Sequence, residues 1–238
     1  MRLHREMMRQ LVTEIVDGTR AEGEMLPREV DLAARFDVSR GVTRECIRAL
    51  EERGLLSVRH GRGATVTPRE QWDIFDPDII TTLLEGSAAV EVLGDYLECR
   101  RILEIECAGL AAERATEADG DRLARCFARM ESAVRSRAPG AEAAFHDADL
   151  GFHQALVDAT GNLALGTLTR RIHDALLAAR YPLARPTYRR NRALPEHEAI
   201  LHAVVDGDAD GARSAMAEHL ATVERYLDEH ARRLARAA

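Results

Sequence analysis

Lysine is absent from this 238-residue chain, and all 33 basic side chains are arginine. That absence is compatible with a GC-rich genome and points to no particular chemistry. Aromatic residues make up only 4% against a hydrophobic fraction of 46%, so aliphatic side chains and alanine must fill the core. Abundant alanine favours helices, because alanine carries the lowest helix penalty. No cysteine pair has CxxC spacing among Cys46, Cys99, Cys107 and Cys126. The opening MRLHREMMRQ is too polar for a secretory signal core. Reduced thiols and a cytoplasmic location are therefore expected. No apolar run approaches the roughly 20 residues of a membrane span, so a membrane partner is not expected.

The length suits a small domain joined to a larger one. A net charge of −7 argues at first against a nucleic-acid partner, but its distribution matters more. Residues 1–69 hold 13 arginines against 11 acidic residues, whereas the remainder holds 20 against 29. The basic region is small and N-terminal.

The pattern of residues 4–18 predicts an amphipathic helix with Met7, Met8, Leu11, Ile15 and Val16 on its apolar side. After a break from Gly18 to Pro27, a second short helix begins at Arg28, with Val30, Leu32, Ala33 and Phe36 inward. Asp37-Val38 is a tight turn. Ser39 is a good N-cap for a third helix reaching about Arg53, with Val42, Cys46, Ile47 and Leu50 inward and Gly54 closing it. The period then changes to two. Leu56-Ser57-Val58 and Ala64-Thr65-Val66-Thr67 flank a glycine turn, His60-Gly61-Arg62-Gly63, which reads as a β-hairpin. Three helices and a hairpin form a winged helix-turn-helix, whose third helix enters the major groove by its N-terminal residues. Ser39, Arg40 and Arg44 lie there, Arg48 continues that side, and His60, Gly61 and Arg62 tip the wing. A helix N-terminus with a hydroxyl suits a phosphate, and arginine suits a guanine edge.

The stretch LPREVDLAARFDVSRGVTRECIRALEERGLLSVRHGRGATV resembles the DNA-binding domain of GntR-type regulators. The resemblance implies contact with double-stranded operator DNA through Ser39, Arg40, Arg44 and Gly61. Val30 stands where many relatives carry a DNA-contacting arginine, and Arg28, ahead of the glutamate, joins the candidate DNA contacts together with His60. The order Val42-Thr43 reverses the usual small-polar-then-valine pair.

Residues 69–87 read as a linker with one short helical piece, punctuated by Pro68, Pro77 and Gly86 and holding the single tryptophan, Trp72. From residue 88 to the C-terminus helical patterns run near 88–115, 119–137, 141–159, 162–181, 190–206 and 209–235. They predict an antiparallel bundle of six or seven helices, so the whole chain is mainly α. Asn162 reads as a helix cap.

Within that bundle Asp149 and His153 lie four apart and share a helix face. His197 and His219 lie on the last two helices, where facing helices can converge. One carboxylate and three imidazoles suit a borderline divalent ion, Zn2+ first and Ni2+ or another transition metal as alternatives. On spacing alone, His146 is a rival ligand and scattered polar residues on solvated faces are the better account.

Three motifs then resemble the FCD ligand-binding domain of the FadR-like branch of GntR regulators: ECRRILEIECAGLAAERAT, DADLGFHQALVDATGN and EHEAILHAVVDGDADGARSAMAEHL. The resemblance implies a helical bundle around a cavity, dimerisation, and metal ligation by Asp149, His153, His197 and His219, with His146 outside the motif. It also places Arg100 facing a small carboxylate effector, such as a sugar acid or organic acid; the plainer account of Arg100 is an ion pair with Glu104. The expected function is a ligand-responsive, homodimeric transcription repressor. A metal-dependent, hydrolase-like enzyme on a helical bundle is the alternative, since a metal held by one aspartate and three histidines, with open positions, can activate water. A purely architectural DNA-binding protein is a third class.

Overall fold

The structure, a computed structural model, describes residues 2–59, 61–86, 89–178 and 190–237. Two compact units divide between Val92 and Leu93.

In the first unit, α1 (Arg2–Val16) buries Met7, Met8, Leu11, Val12 and Ile15 along one stripe. It packs on α3 (Arg40–Glu52). Between them, α2 (Glu29–Phe36) ends at Asp37, whose left-handed backbone lets its N–H reach the carbonyls of Ala33 and Ala34. Ser39 caps α3, its hydroxyl accepting from the Val42 N–H at 3.3 Å. Two inward positions differ from the sequence pattern. Val30 is 43% exposed, and on α3 the fully buried residue is Thr43 rather than the half-buried Val42. Thr43, Cys46, Ile47 and Leu50 follow the helical period. The Thr43 hydroxyl donates to the Ser39 carbonyl at 3.3 Å, which removes the penalty of burying it.

The hairpin pairs β1 (Leu56–Arg59) with β2 (Gly63–Val66) antiparallel, setting Leu56 opposite Val66 and Val58 opposite Ala64. Residues 24–26, in the break after α1, run along the other edge of β2: Leu26 donates to Ala64 and Val66 donates to Glu24. The period-two pattern thus reports a sheet anchored on one face by Leu56, Ala64 and Val66.

Residues 69–86 carry more order than a linker needs. A 3-10 turn, Arg69–Gln71, precedes α4 (Pro77–Glu85), which Asp76 caps and which buries Ile79, Ile80, Leu83 and Leu84. α4 packs against α1. Trp72 Nε1 donates to the Thr67 carbonyl at 3.2 Å, so the tryptophan pins this segment within the first unit. Gly54 explains the close approach. Its φ is +75°, and a Cβ there would collide with the Gln71 carbonyl.

The second unit is a helical bundle. Among the described residues it holds α5 (Ala89–Arg114, starting in the first unit), α6 (Glu117–Arg135), α7 (Ala141–Ala159), α8 (Leu163–Ala178), α9 (Arg190–Val205) and α10 (Ala209–Ala237). Thr116 and Asp119 form a reciprocal capping box at the start of α6. Asn162 caps α8, its Oδ1 accepting from Ala164 and Leu165. α6 packs on α7 and α9, α7 on α8, and α9 on α10. Phe152, Leu156, Leu123, Met130, Ile200 and Met216 fill the interior, each essentially without exposure. Pro195 stands inside α9. Among the described residues no helix is long and apolar enough to cross a membrane.

Candidate functional sites

The outer face of α3 carries the expected DNA-reading residues. Ser39, Arg40 and Arg44 are exposed, as are Arg28 at the N-cap of α2 and Gly61 and Arg62 at the hairpin tip. His60 lies outside the described residues. Arg44 is held by Glu29, Nε to Oε2 at 2.8 Å, while its side chain stays 70% exposed. Exposed Val30 lies one residue after that glutamate on α2. Gly61 adopts φ +75° with open space where a Cβ would stand, so backbone can come close to a phosphate chain there.

Inside the second unit, polar groups gather where an apolar bundle would have none. His153, His197 and His219 are each at most 2% exposed, and one ligand atom from each lies within 4.8 Å of the others. Ring centroids stand 4.4 Å apart for His197 and His219, 5.2 Å for His153 and His219, and 5.4 Å for His153 and His197. α7, α9 and α10 supply one ring each.

Each ring also has an acceptor beside Nδ1. His197 Nδ1 lies 2.8 Å from the Ala193 carbonyl oxygen. His219 Nδ1 lies 2.9 Å from Glu196 Oε2. His153 Nδ1 lies 2.7 Å from Glu104 Oε2, off the ideal hydrogen-bond line. A carbonyl or carboxylate oxygen can only accept, so the proton of each neutral ring belongs on Nδ1 and the lone pair on Nε2. Metal-binding imidazoles are oriented in this way.

Asp149 approaches one of these rings. Its Oδ1 is 3.0 Å from His197 Nε2. With the only His197 proton on Nδ1, two acceptors would face each other at that distance, so either a second ring proton or a bound cation belongs between them. Nε2 of both His153 and His197 is buried without an aligned hydrogen-bond partner. Burial pushes the Asp149 carboxyl up, but the His197 ring at hydrogen-bond distance and the nearby imidazoles prevail and hold it well below the usual carboxylate range. Burial also lowers His153, against the opposing pull of Glu104 and Asp149, and so favours the neutral ring that ligation requires. Three clustered imidazoles, with a carboxylate beside one of them, suit a borderline divalent metal.

Arg100 is engaged. Its Nε and Nη2 reach Oε1 and Oε2 of Glu104 at 2.7 and 3.2 Å. The pattern of residues did not reveal how central Glu104 is. It is wholly buried and also touches His153 and His173, the latter at 2.8 Å through Nε2. Burial raises its carboxyl, but Arg100, His153 and His173 together hold it well below the ordinary range. Glu196, His173 and Thr169 were missed as well. Thr169 lies one turn before His173 on α8, its buried hydroxyl lacking a hydrogen-bond partner. The only hint in the sequence was the spacing of Arg100 and Glu104, one helical turn. His146 stays outside the imidazole cluster, although its Nε2 is buried without a partner.

A winged helix-turn-helix with an arginine-bearing recognition helix, joined in one chain to a helical domain, defines a DNA-binding transcription regulator. The chain belongs to the gntR family of bacterial regulatory proteins: that family's model matches residues 3–66, and the FCD domain model matches residues 95–222. It is 30% identical to the galactonate operon transcriptional repressor of Escherichia coli K12 over 227 residues, 91% of this chain and 93% of that protein. It is 34% identical to the HTH-type transcriptional regulator LutR of Bacillus subtilis over 218 residues, 90% of this chain and 95% of that one. A putative L-lactate dehydrogenase operon regulatory protein of Escherichia coli K12 is 32% identical over 246 residues, 94% and 90% of the two chains. Among solved structures, Streptococcus agalactiae GntR aligns with a TM-score of 0.52 at 25% identity over 94% of this chain and 99% of its own. The names of these relatives and of the family indicate transcription regulators rather than enzymes.

Proposed function

We propose that this regulator is a homodimeric repressor whose FCD domain holds a divalent metal ion at Asp149, His153, His197 and His219 and binds a small carboxylate effector through that ion and Arg100. The observation carrying the reading is the pair Asp149 Oδ1 and His197 Nε2, 3.0 Å apart beside two further buried imidazoles. Zn2+ is the first choice for such ligands, with Ni2+ next.

A bound ion supplies a positive centre with room for an anionic oxygen. Arg100 supplies a planar fork matching a carboxylate. The names of two relatives carry galactonate and L-lactate, both 2-hydroxy acids. The orphaned Thr169 hydroxyl, one turn from His173, offers a partner for an effector hydroxyl. A sugar acid or small hydroxy acid therefore fits best.

On the DNA side, Ser39, Arg28, Arg40 and Arg44 meet the operator, with His60 and Gly61 on the wing. A dimer lays two copies of α3 in successive major grooves. Effector binding shifts the equilibrium between DNA-competent and DNA-incompetent forms by its difference in affinity for the two.

The test is metal analysis of the purified chain beside a His153→Ala, His219→Ala double variant. One metal per chain in the wild type, absent from the variant, supports the site. Equal occupancy in both removes it. A thermal-shift screen of galactonate, lactate and other organic acids, with and without added metal, then identifies the effector.

A further inference from the structure

We propose that Glu104 is a positioning residue that links the acid-facing Arg100 to the metal ligand His153, so that an acid on Arg100 tightens metal binding. The inference rests on the metal reading above.

The geometry is specific. Each oxygen of Glu104 serves one arginine nitrogen and one imidazole. Oε1 takes Arg100 Nε at 2.7 Å and His173 Nε2 at 2.8 Å. Oε2 takes Arg100 Nη2 at 3.2 Å and meets His153 Nδ1 at 2.7 Å. These partners come from α5, α8 and α7, and the carboxylate itself has no exposure. A buried carboxylate is costly unless fully paired, and packing alone would be met by an apolar residue. What the carboxylate adds is a negative charge shared between a guanidinium and two rings.

That sharing has a consequence. A carboxylate acid that engages the Arg100 fork competes with Glu104 for the same donors. As the arginine's hold on Glu104 loosens, more of its charge bears on His153 Nδ1–H. The opposite nitrogen, Nε2, then becomes a better donor to a cation. Metal and acid are therefore coupled, and by linkage the coupling is reciprocal. His173 keeps the other oxygen in place and prevents the carboxylate from rotating away.

The test uses Co2+ alone as the probe, read by visible absorption and chelator competition on the full chain at pH 8. Glu104→Gln keeps the shape and removes the charge. It is expected to weaken Co2+ binding by about 10- to 100-fold, the effect of losing an outer partner of a ligand, and to lower the metal-free melting temperature, because Arg100 loses its buried counter-ion. Arg100→Met is expected to tighten Co2+ binding by about fivefold in the wild-type background and by less in Glu104→Gln. Wild-type Co2+ affinity in a folded Glu104→Gln protein overturns the inference. So does an equal Arg100→Met effect in both backgrounds. If Glu104→Gln does not fold, Arg100→Met alone decides, and an unchanged Co2+ affinity overturns the link. A wild-type protein that takes up no Co2+ overturns the metal reading itself, which distinguishes the two failures.

Discussion

His219 on α10 is oriented by Glu196 on α9, Nδ1 to Oε2 at 2.9 Å, and Glu196 is the residue immediately before the ligand candidate His197. One turn of α9 thus presents an imidazole to the cluster and, beside it, the carboxylate that sets the neighbouring imidazole's tautomer. Glu196→Ala removes that acceptor without touching a ligand atom. The expected result is a loss of about 10- to 100-fold in metal affinity, with near-native circular dichroism. Undiminished Zn2+ affinity in a competition titration would show that His219 needs no such orientation.

The helices and their caps were legible because they are local. Ser39, Asn162 and Gly54 act within a few residues of their own position, and their backbone roles follow from residue type. Val42 and Thr43 show the limit of the apolar pattern. Hydrophobicity favoured valine as the inward residue, but the helix phase set by Cys46, Ile47 and Leu50 buries the threonine, whose hydroxyl finds a carbonyl. Spacing brought the candidate ligands together, and the family resemblance set His146 aside. The ligands' supporting residues were illegible for a different reason. Glu104 meets His173 across 69 residues of chain and Glu196 meets His219 across 23, distances that only packing closes.

Arg44 is exposed, and its ion pair to Glu29 is a surface pair of small worth. Arg44→Ala is therefore expected to change stability by no more than about 0.5 kcal/mol. Specific DNA binding should fall by about 1–3 kcal/mol if the fork reads a base edge. Gel-shift titration against a duplex selected from random sequence measures this. Unchanged affinity for that duplex removes Arg44 from the interface.

Thiol reactivity should divide by burial. Cys46 and Cys107 have no exposure, and burial pushes each thiol up to about 11. Cys99 is exposed and Cys126 half-buried. Iodoacetamide at pH 8 should label Cys99 first, Cys126 more slowly, and Cys46 and Cys107 only after denaturation, since the thiolate is the nucleophile. Mass-spectrometric labelling of Cys46 in the native protein at the rate of Cys99 would contradict the placement of α3 in its core.

Glu14 anchors the end of α1 to Arg20, at 2.8 Å, and to Arg35 on α2. Burial raises its carboxyl, but the two arginines outweigh that and hold it below the ordinary value. A carboxyl depressed in the folded state contributes stability that is full above its unfolded pKa, about 4.3, and is lost as pH falls through its lower folded value. The contribution, discounted for solvent screening, is on the order of 1 kcal/mol. Glu14→Gln should therefore lower the melting temperature of the first unit at pH 7, and the gap to wild type should narrow as pH drops below about 4. Melts followed by Trp72 fluorescence report on this unit, because Trp72 is hydrogen-bonded within it. A gap that persists undiminished at low pH would assign the effect of Glu14 to packing rather than charge.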